Sequence, residues 1–490
     1  MSFRRMAQAV SLTAVLAMAA RVTIDGDTFW HLAAGRWMVE HGQILRTDPF
    51  SITRLGQPWV YPGWLSQLLL FGIHQWLGFL GLNLYTMVAV GIVFAIVWTM
   101  LAGPPLLRAS ALALSAATSA IFWSARPQML TLLLATVYLW ILRSEDNKPV
   151  WTLWLLPPLM ALWANLHGGF AVGFLLIGAF LGAHGLNLVL AWLLRPAERE
   201  NAWASRRVGM GRLALCLALC MLAVGINPFG LRMLAYPFQT VAVETLRLHI
   251  QEWQSPDFHM SGTWPFLAML LLMVPSFTLS TKPRRTIEFV LYLGFTALAL
   301  SAARNIALFA IVTAPMLARH GGSAIKPLAE SIGAGRQLPA RLARRLNVVL
   351  ACLLVVAAAL WASPRIDASA TDVALANRFP RGAVTYLNEQ HPAGPLLNSY
   401  NWGGYLLWTA FPPYMSFVDG RTDLFNDEIL TDYLSAYTAG RGWERILDRY
   451  GIRLILVEPD APLAIAAEGA GWLRLVASDQ FVLLSSPEGG

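Results

Sequence analysis

Charge is what this chain has least of. Only 13% of its 490 residues are Asp, Glu, Lys or Arg, about half the ~25% of a soluble globular protein. That shortage excludes a chain solvated by water along its whole length. Cysteine is almost as scarce. The three present, Cys216, Cys220 and Cys352, all sit inside apolar runs, which excludes a disulfide framework and a thiolate zinc site. No internal repeat or low-complexity tract is evident, which argues against a repeat-built transporter. The basic residues form no single face, so the net charge of +8 does not describe a nucleic-acid binder.

What is abundant is apolar. Hydrophobic residues make up 56% of the chain, and the mean hydropathy is +0.53. A crossing needs about 20 apolar residues. The candidate spans are 6–24, 63–78, 83–101, 106–123, 127–143, 150–166, 170–194, 212–226, 263–279, 286–302, 304–319 and 346–363. The first resembles a signal peptide but reads as a retained first helix. Basic clusters at Arg4/Arg5, 195–212, 281–285 and 319–345 mark cytoplasmic loops. They put the N-terminus inside and residues 364–490 outside. Twelve crossings would place both termini on one side, so the parity demands 11 or 13, with the discrepancy between 63 and 126.

The expected architecture is a polytopic α-helical membrane protein of about 11–13 transmembrane helices with a C-terminal extracytoplasmic α/β domain. Residues 1–363 form the membrane part, with extracytoplasmic loops at 25–62 and 227–262, and residues 364–490 the soluble domain. Within the first loop a helix is expected over 28–41, closed by Gly42 as a left-handed cap. In the soluble domain Leu396–Ser399, Met415–Val418, Arg453–Val457, Leu473–Val476 and Phe481–Leu484 read as strands, with helices near 404–410, 429–437 and 443–450.

The richest polar stretch is Asp25-Gly26-Asp27-Thr28-Phe29-Trp30-His31, where the chain leaves the first span. His31 lies one turn after Asp27, on the same helix face. A carboxylate here can act as general base, and Asp25 with Asp27 can hold a divalent cation, Mg or Mn. The plainer alternatives are Asp27 as helix N-cap and Asp25-Gly26 as a turn. Arg126, His167 and Arg304 sit in short connections that the charge rule places on the same side as Asp27. There the arginines can fork a lipid phosphate or merely snorkel to the interface. In the second loop, Glu252 and Asp257 are further carboxylates, and Trp253 can stack on a sugar ring. Asp419-Gly420-Arg421 follows an expected strand and reads as a ligand contact or, more simply, a turn with a local ion pair.

The order of parts resembles the GT-C superfamily of membrane glycosyltransferases, in the branch of protein O-mannosyltransferases and aminoarabinose transferases. It is closest to an uncharacterised bacterial family of that type. The strings that carry the likeness are Asp25 to Trp37, Thr47-Asp48-Pro49-Phe50-Ser51, Asn165-Leu166-His167-Gly168-Gly169 and Asp419-Gly420-Arg421. The resemblance implies a bacterial inner-membrane enzyme using a polyprenyl-phosphate-linked sugar from the membrane lipid and an extracytoplasmic acceptor (protein, lipid or glycan). It implies Asp27 as catalytic base or metal ligand, with Asp25 second; on the residues themselves, His31 is expected to orient Asp27, and Asp25 or Asp48 to help hold a cation. The Lys-Pro-Pro run of the aminoarabinose transferases is missing: Pro58-Trp59-Val60-Tyr61-Pro62 stands there, so phosphate contacts fall to Arg126 or Arg304. Rival readings are a lipid or solute transporter or flippase, and a non-catalytic component of an envelope polysaccharide assembly.

Overall fold

The computed structural model describes residues 1–143, 150–194, 199–325 and 339–487. Parts of two expected basic loops, 195–198 and 326–338, lie outside the described residues. The chain begins with α1 (Phe3–Ala19), α2 (Gly26–His41), α3 (Trp64–Met100), α4 (Pro105–Ser119), α5 (Gln128–Leu142), α6 (Leu156–Leu166), α7 (Ala171–Leu194) and α8 (Arg199–Val224). Short helices α9 (Tyr236–Ala242) and α10 (Glu244–His249) interrupt the next loop. The bundle resumes with α11 (Trp264–Thr278), α12 (Thr286–Ser301), α13 (Ile306–Ala324) and α14 (Ala340–Ile366).

Among the described residues six helices are long and apolar enough to cross a membrane by length and composition, and α5 and α12 are apolar but shorter. On α14, Leu353, Val356 and Leu360 are 55–70% exposed. Water would drive such side chains inward, whereas lipid tails are as apolar as they are. The core of the bundle centres on α13, buried along nearly its whole length, with Phe309 edge-on to Phe266 at 5.1 Å.

Residues 63–78, expected as a crossing of their own, are the first part of the long helix α3 and pack against protein. Gly78 breaks α3 with φ +58° and ψ −152°, a conformation that only glycine adopts cheaply. The segment before the break lies along α2, where Gly35 fits against Gln67 and Phe71. His74 also meets Trp408, 5.0 Å away in the C-terminal unit. With that segment set aside, eleven helices or half-helices make up the bundle among the described residues: α1, the second half of α3, α4 to α8 and α11 to α14. The termini accordingly fall at opposite ends. The Met1 amino group bonds the Arg344 carbonyl at 3.1 Å, whereas Ile366, at the far end of α14, accepts from Asn83 at 3.3 Å.

The C-terminal unit holds α15 (Ala368–Ala376), α16 (Arg381–Gln390), β1 (Leu396–Asn398), α17 (Gly403–Thr409), α18 (Thr422–Tyr437), α19 (Trp443–Arg449), β2 (Leu454–Val457), α20 (Pro462–Gly469), β3 (Leu473–Ala477) and β4 (Val482–Ser485). The sheet order is β1-β2-β4-β3, with β1 parallel to β2 and the other pairs antiparallel. Four of the five expected strands are present. The fifth, Met415–Val418, is not a strand: the Phe417 N–H is taken by the Asn398 side chain at 2.7 Å. Ser416 instead makes a single bridge to Ser51 of the first loop.

That bridge is one sign of a larger fusion. Trp30, Phe50 and Trp59 of the first loop share one apolar core with Leu397, Phe417 and Ile455 of the C-terminal unit. Each fully buried side chain of this size stabilises by roughly 1.5–3 kcal/mol, so loop and unit form one body.

Candidate active site

The start of α2 separates the roles of two neighbouring carboxylates. Asp25 is the N-cap: its Oδ1 accepts the Thr28 N–H at 3.1 Å, and Thr28 Oγ1 accepts the Asp25 N–H at 3.1 Å. This reciprocal box satisfies two end groups of the helix. It leaves Asp27, the cap expected on the plainer reading, free for other partners. Asp27 Oδ1 accepts from Trp30 Nε1 at 3.2 Å, and its Oδ2 meets an Arg126 nitrogen at 2.5 Å.

Arg126 is the hub. Besides Asp27 it reaches Asp25 Oδ2 at 3.1 Å and Glu252 Oε2 at 3.3 Å. Arg304 lies 3.9 Å from the other Glu252 oxygen and 4.2 Å over the Trp253 ring. Three carboxylates thus face two guanidiniums, one negative charge in excess if all are ionised. Burial, with Asp25 and Glu252 adding to it, pushes the Asp27 carboxyl up to about 6 against the opposing pull of Arg126. Burial also works against ionisation of Glu252, but Arg126 and Arg304 outweigh it and hold that group below the usual carboxylate range. One carboxylate therefore stays charged while its neighbour titrates near neutrality, the separation that acid–base chemistry uses.

Asp25, Asp27, Arg126, Glu252 and Trp253 all line one cavity of about 810 Å³. Its opposite wall comes from the C-terminal unit and includes Arg378, Tyr400 and Tyr433. None of these three was singled out from sequence. Arg378 donates to the Ile24 carbonyl at 3.3 Å, and it has no carboxylate partner among the described residues.

The remaining candidates divide. His167 is fixed beside the cluster, its Nδ1 accepting from the Gly169 N–H at 3.1 Å and lying 2.8 Å from Thr131 Oγ1. Burial, then Arg304 and Arg126, pull its pKa down to about 3, so the ring is neutral. His31 does not orient Asp27, because Trp30 makes that hydrogen bond. The His31 ring lies against Trp30 at 3.5 Å, with Nδ1 buried and unpartnered. Asp48 is not in the cavity. It is fully buried elsewhere, accepting from the Phe50 and Ser51 N–H groups and pairing with Arg421 at 2.5 Å. Arg421 also grips Asp419 at 2.7 Å, so the plainer reading of Asp419-Gly420-Arg421 holds. Asp257 pairs with His259 on the surface.

The residues present do not fit a divalent cation. Arg126 stands where Asp25, Asp27 and Glu252 converge, and one Asp25 oxygen is committed to the cap. Among the described residues no group of three or more His, Cys, Asp or Glu side chains is disposed around a common point.

Gly420 explains how the C-terminal unit reaches the site. A Cβ at this position would overlap Asp27 Oδ1 and lie 2.8 Å from Trp30 Nε1. Gly420→Ala should therefore displace the Asp27 carboxylate. A misplacement of about 1 Å costs on the order of 100-fold in rate. Turnover measured beside a melting curve checks this: activity should collapse while the melting temperature moves little.

No family model matches the sequence, and no curated protein does. Solved structures do match. The oligosaccharyltransferase of Archaeoglobus fulgidus in its apo form gives a TM-score of 0.52 at 12% identity, over 94% of this chain and 70% of that one. The same enzyme tethered to an acceptor peptide containing the NVT sequon gives 0.50 at 12% identity, over 92% and 69%. ArnT from Cupriavidus metallidurans in the apo state aligns over 97% of this chain and 96% of its own, at 14% identity and a TM-score of 0.44. At these identities the likeness is one of fold: the chain shares the fold of the Archaeoglobus fulgidus oligosaccharyltransferase.

Proposed function

We propose that this chain is an inverting glycosyltransferase, moving a sugar from a polyprenyl-phosphate donor to an extracytoplasmic acceptor in a bacterial cytoplasmic membrane. One observation carries the reading: a carboxylate on a rigid helix, held by Trp30 and Arg126 at the edge of a large cavity, with its pKa raised towards neutrality. The shared fold supports glycosyl transfer over transport. Arg4 and Arg5, on α1, and Arg284 and Arg319, near the opposite end of the bundle from Asp27, favour placing the C-terminal unit outside.

In this reading Asp27 takes the proton from the acceptor's O–H or N–H. The acceptor atom bonds to the anomeric carbon as the bond from that carbon to the phosphate oxygen breaks, inverting the centre. Polyprenyl phosphate leaves with the bonding electrons. Arg378 lines the cavity with no carboxylate partner among the described residues and takes the phosphate, because a guanidinium forks phosphate oxygens. Arg126 is committed to the three carboxylates and acts by positioning Asp27. Tyr400 offers its ring to a sugar, held in place as its N–H donates to the Tyr433 hydroxyl at 2.8 Å.

The test is native mass spectrometry of wild type and Asp27→Asn extracted from their own membranes. The expected result is a co-purified polyprenyl phosphate, enriched in its sugar-loaded form in the variant. Bulk phospholipid alone in both proteins would sink the reading.

A further inference from the structure

A second polar cavity, of about 320 Å³, opens where the first loop, α9 and the start of α18 meet. It shares no lining residue with the cavity of Asp27, and its size is at the small end for ligand pockets. Asp423 stands in its wall. Asp423 Oδ2 accepts from Trp59 Nε1 at 3.4 Å and from the Tyr236 hydroxyl at 3.3 Å. Both bonds are long, and no other residue's donor reaches Oδ1 among the described residues. Burial pushes this carboxyl up to about 6, while Trp59, its own N–H, Tyr236 and Arg421 pull the other way. At neutral pH it is an ionised acceptor with capacity to spare.

Arg54, in the same wall, has the complementary shortage. Its Nη2 is spent on Asn426 Oδ1 at 2.7 Å and on the Phe425 carbonyl and Glu428, each at 3.1 Å. Nη1 and the buried Nε keep no acceptor among the described residues. Glu428 balances its charge, so Arg54 offers donors here rather than a spare positive charge. Asn426, which anchors it, breaks α18 with φ +51° and ψ −173°. Such backbone persists where the surroundings hold it, as at ligand clamps. Gln239 adds an amide to the wall that can donate and accept.

An anion in this cavity would be repelled by Asp423, and an amine would leave the Arg54 donors unmet. A hydroxyl both donates and accepts, so adjacent hydroxyls on one ring answer both walls at once. We propose that this cavity binds a neutral saccharide unit. That unit is not the reacting sugar: contacts run from Asp423 through Trp59 and Trp30, 5.9 Å apart, to Asp27, so two indole rings separate them. The proposal does not rest on the transferase reading, since it needs binding alone.

The experiment uses the full chain in lauryldimethylamine oxide, a detergent without a sugar headgroup, and no sugar donor. Saturation-transfer NMR follows the methyl glycosides of glucose, mannose, galactose and N-acetylglucosamine, with glucosamine as the cationic comparison. Wild type should bind at least one neutral glycoside. Asp423→Asn should weaken it about tenfold, the usual loss when a hydrogen bond to a charged group goes. Gln239→Trp, at an exposed position, fills the cavity and should abolish binding, which carries the test if Asp423→Asn fails to fold. An equal loss in Arg378→Gln would place the saccharide in the first cavity and overturn the proposal. Binding of glucosamine in place of the neutral glycosides would overturn it too, as would binding of none of these probes.

Discussion

Asp27→Asn should lower turnover by ~10²- to 10⁴-fold, the range that a positioned general base contributes, while leaving the donor bound. Asparagine keeps the shape and still accepts from Trp30 Nε1, so α2 and its cap at Asp25 should survive unchanged. What disappears is the proton acceptor. The pH profile separates this from a structural effect. With the Asp27 pKa raised to about 6, the base form accumulates as pH rises through that value. The kcat/KM of wild type should therefore climb tenfold per pH unit below about 6 and level off above it. The asparagine variant should lack that limb. Asp25→Asn is the matched control, because asparagine caps a helix about as well as aspartate. Its smaller loss would reflect only a weaker hold on Arg126. Retention of a third or more of wild-type turnover in Asp27→Asn would remove the base from this residue.

Local signals carried much of the fold. The helix over 28–41 and its Gly42 cap are present, starting two residues earlier than expected and ending at His41 with Gly42 at φ +65°. Four strands were readable because their apolar runs are bounded by turn residues. Met415–Val418 has the same composition, but its backbone is claimed by Asn398 and the first loop, partners that no local pattern announces. The separate crossing expected at 63–78 failed for a similar reason. An apolar run of that length fits lipid or protein equally well, and its protein partners are α2, against Gly35, and Trp408, which lies more than 300 positions away. In the site, residue types were legible and their assembly was not. Which carboxylate caps α2 was decided by Thr28, whose place three residues after Asp25 is a visible box signal. The grip of Arg126 on Asp25, Asp27 and Glu252, and the Arg378 wall, depend on tertiary proximity alone.

Arg421→Ala should be the most destabilising single change outside the bundle. The Arg421 side chain is wholly buried, with Nε and one terminal nitrogen on Asp419 at 2.8 and 2.7 Å and the other on Asp48 at 2.5 Å. Its guanidinium also lies 5.0 Å over Trp59 and 5.2 Å over Phe50. Truncation leaves two carboxylates buried without their cation, which typically costs about 3–5 kcal/mol and lowers a melting temperature by on the order of 10 °C. Arg474→Ala breaks only an exposed pair with Glu468 and should leave the melting curve in place. Adding Asp48→Asn and Asp419→Asn to Arg421→Met should recover much of the loss, because the stranded charges are then gone. The consequence reaches the chemistry as well. Gly420 sits between Asp419 and Arg421 and bears on Asp27, so the clamp that fastens the first loop to the C-terminal unit also sets the position of the proposed base. Arg421→Ala should therefore lose turnover even at temperatures where it remains folded, and a folded variant with full activity would separate the clamp from the site.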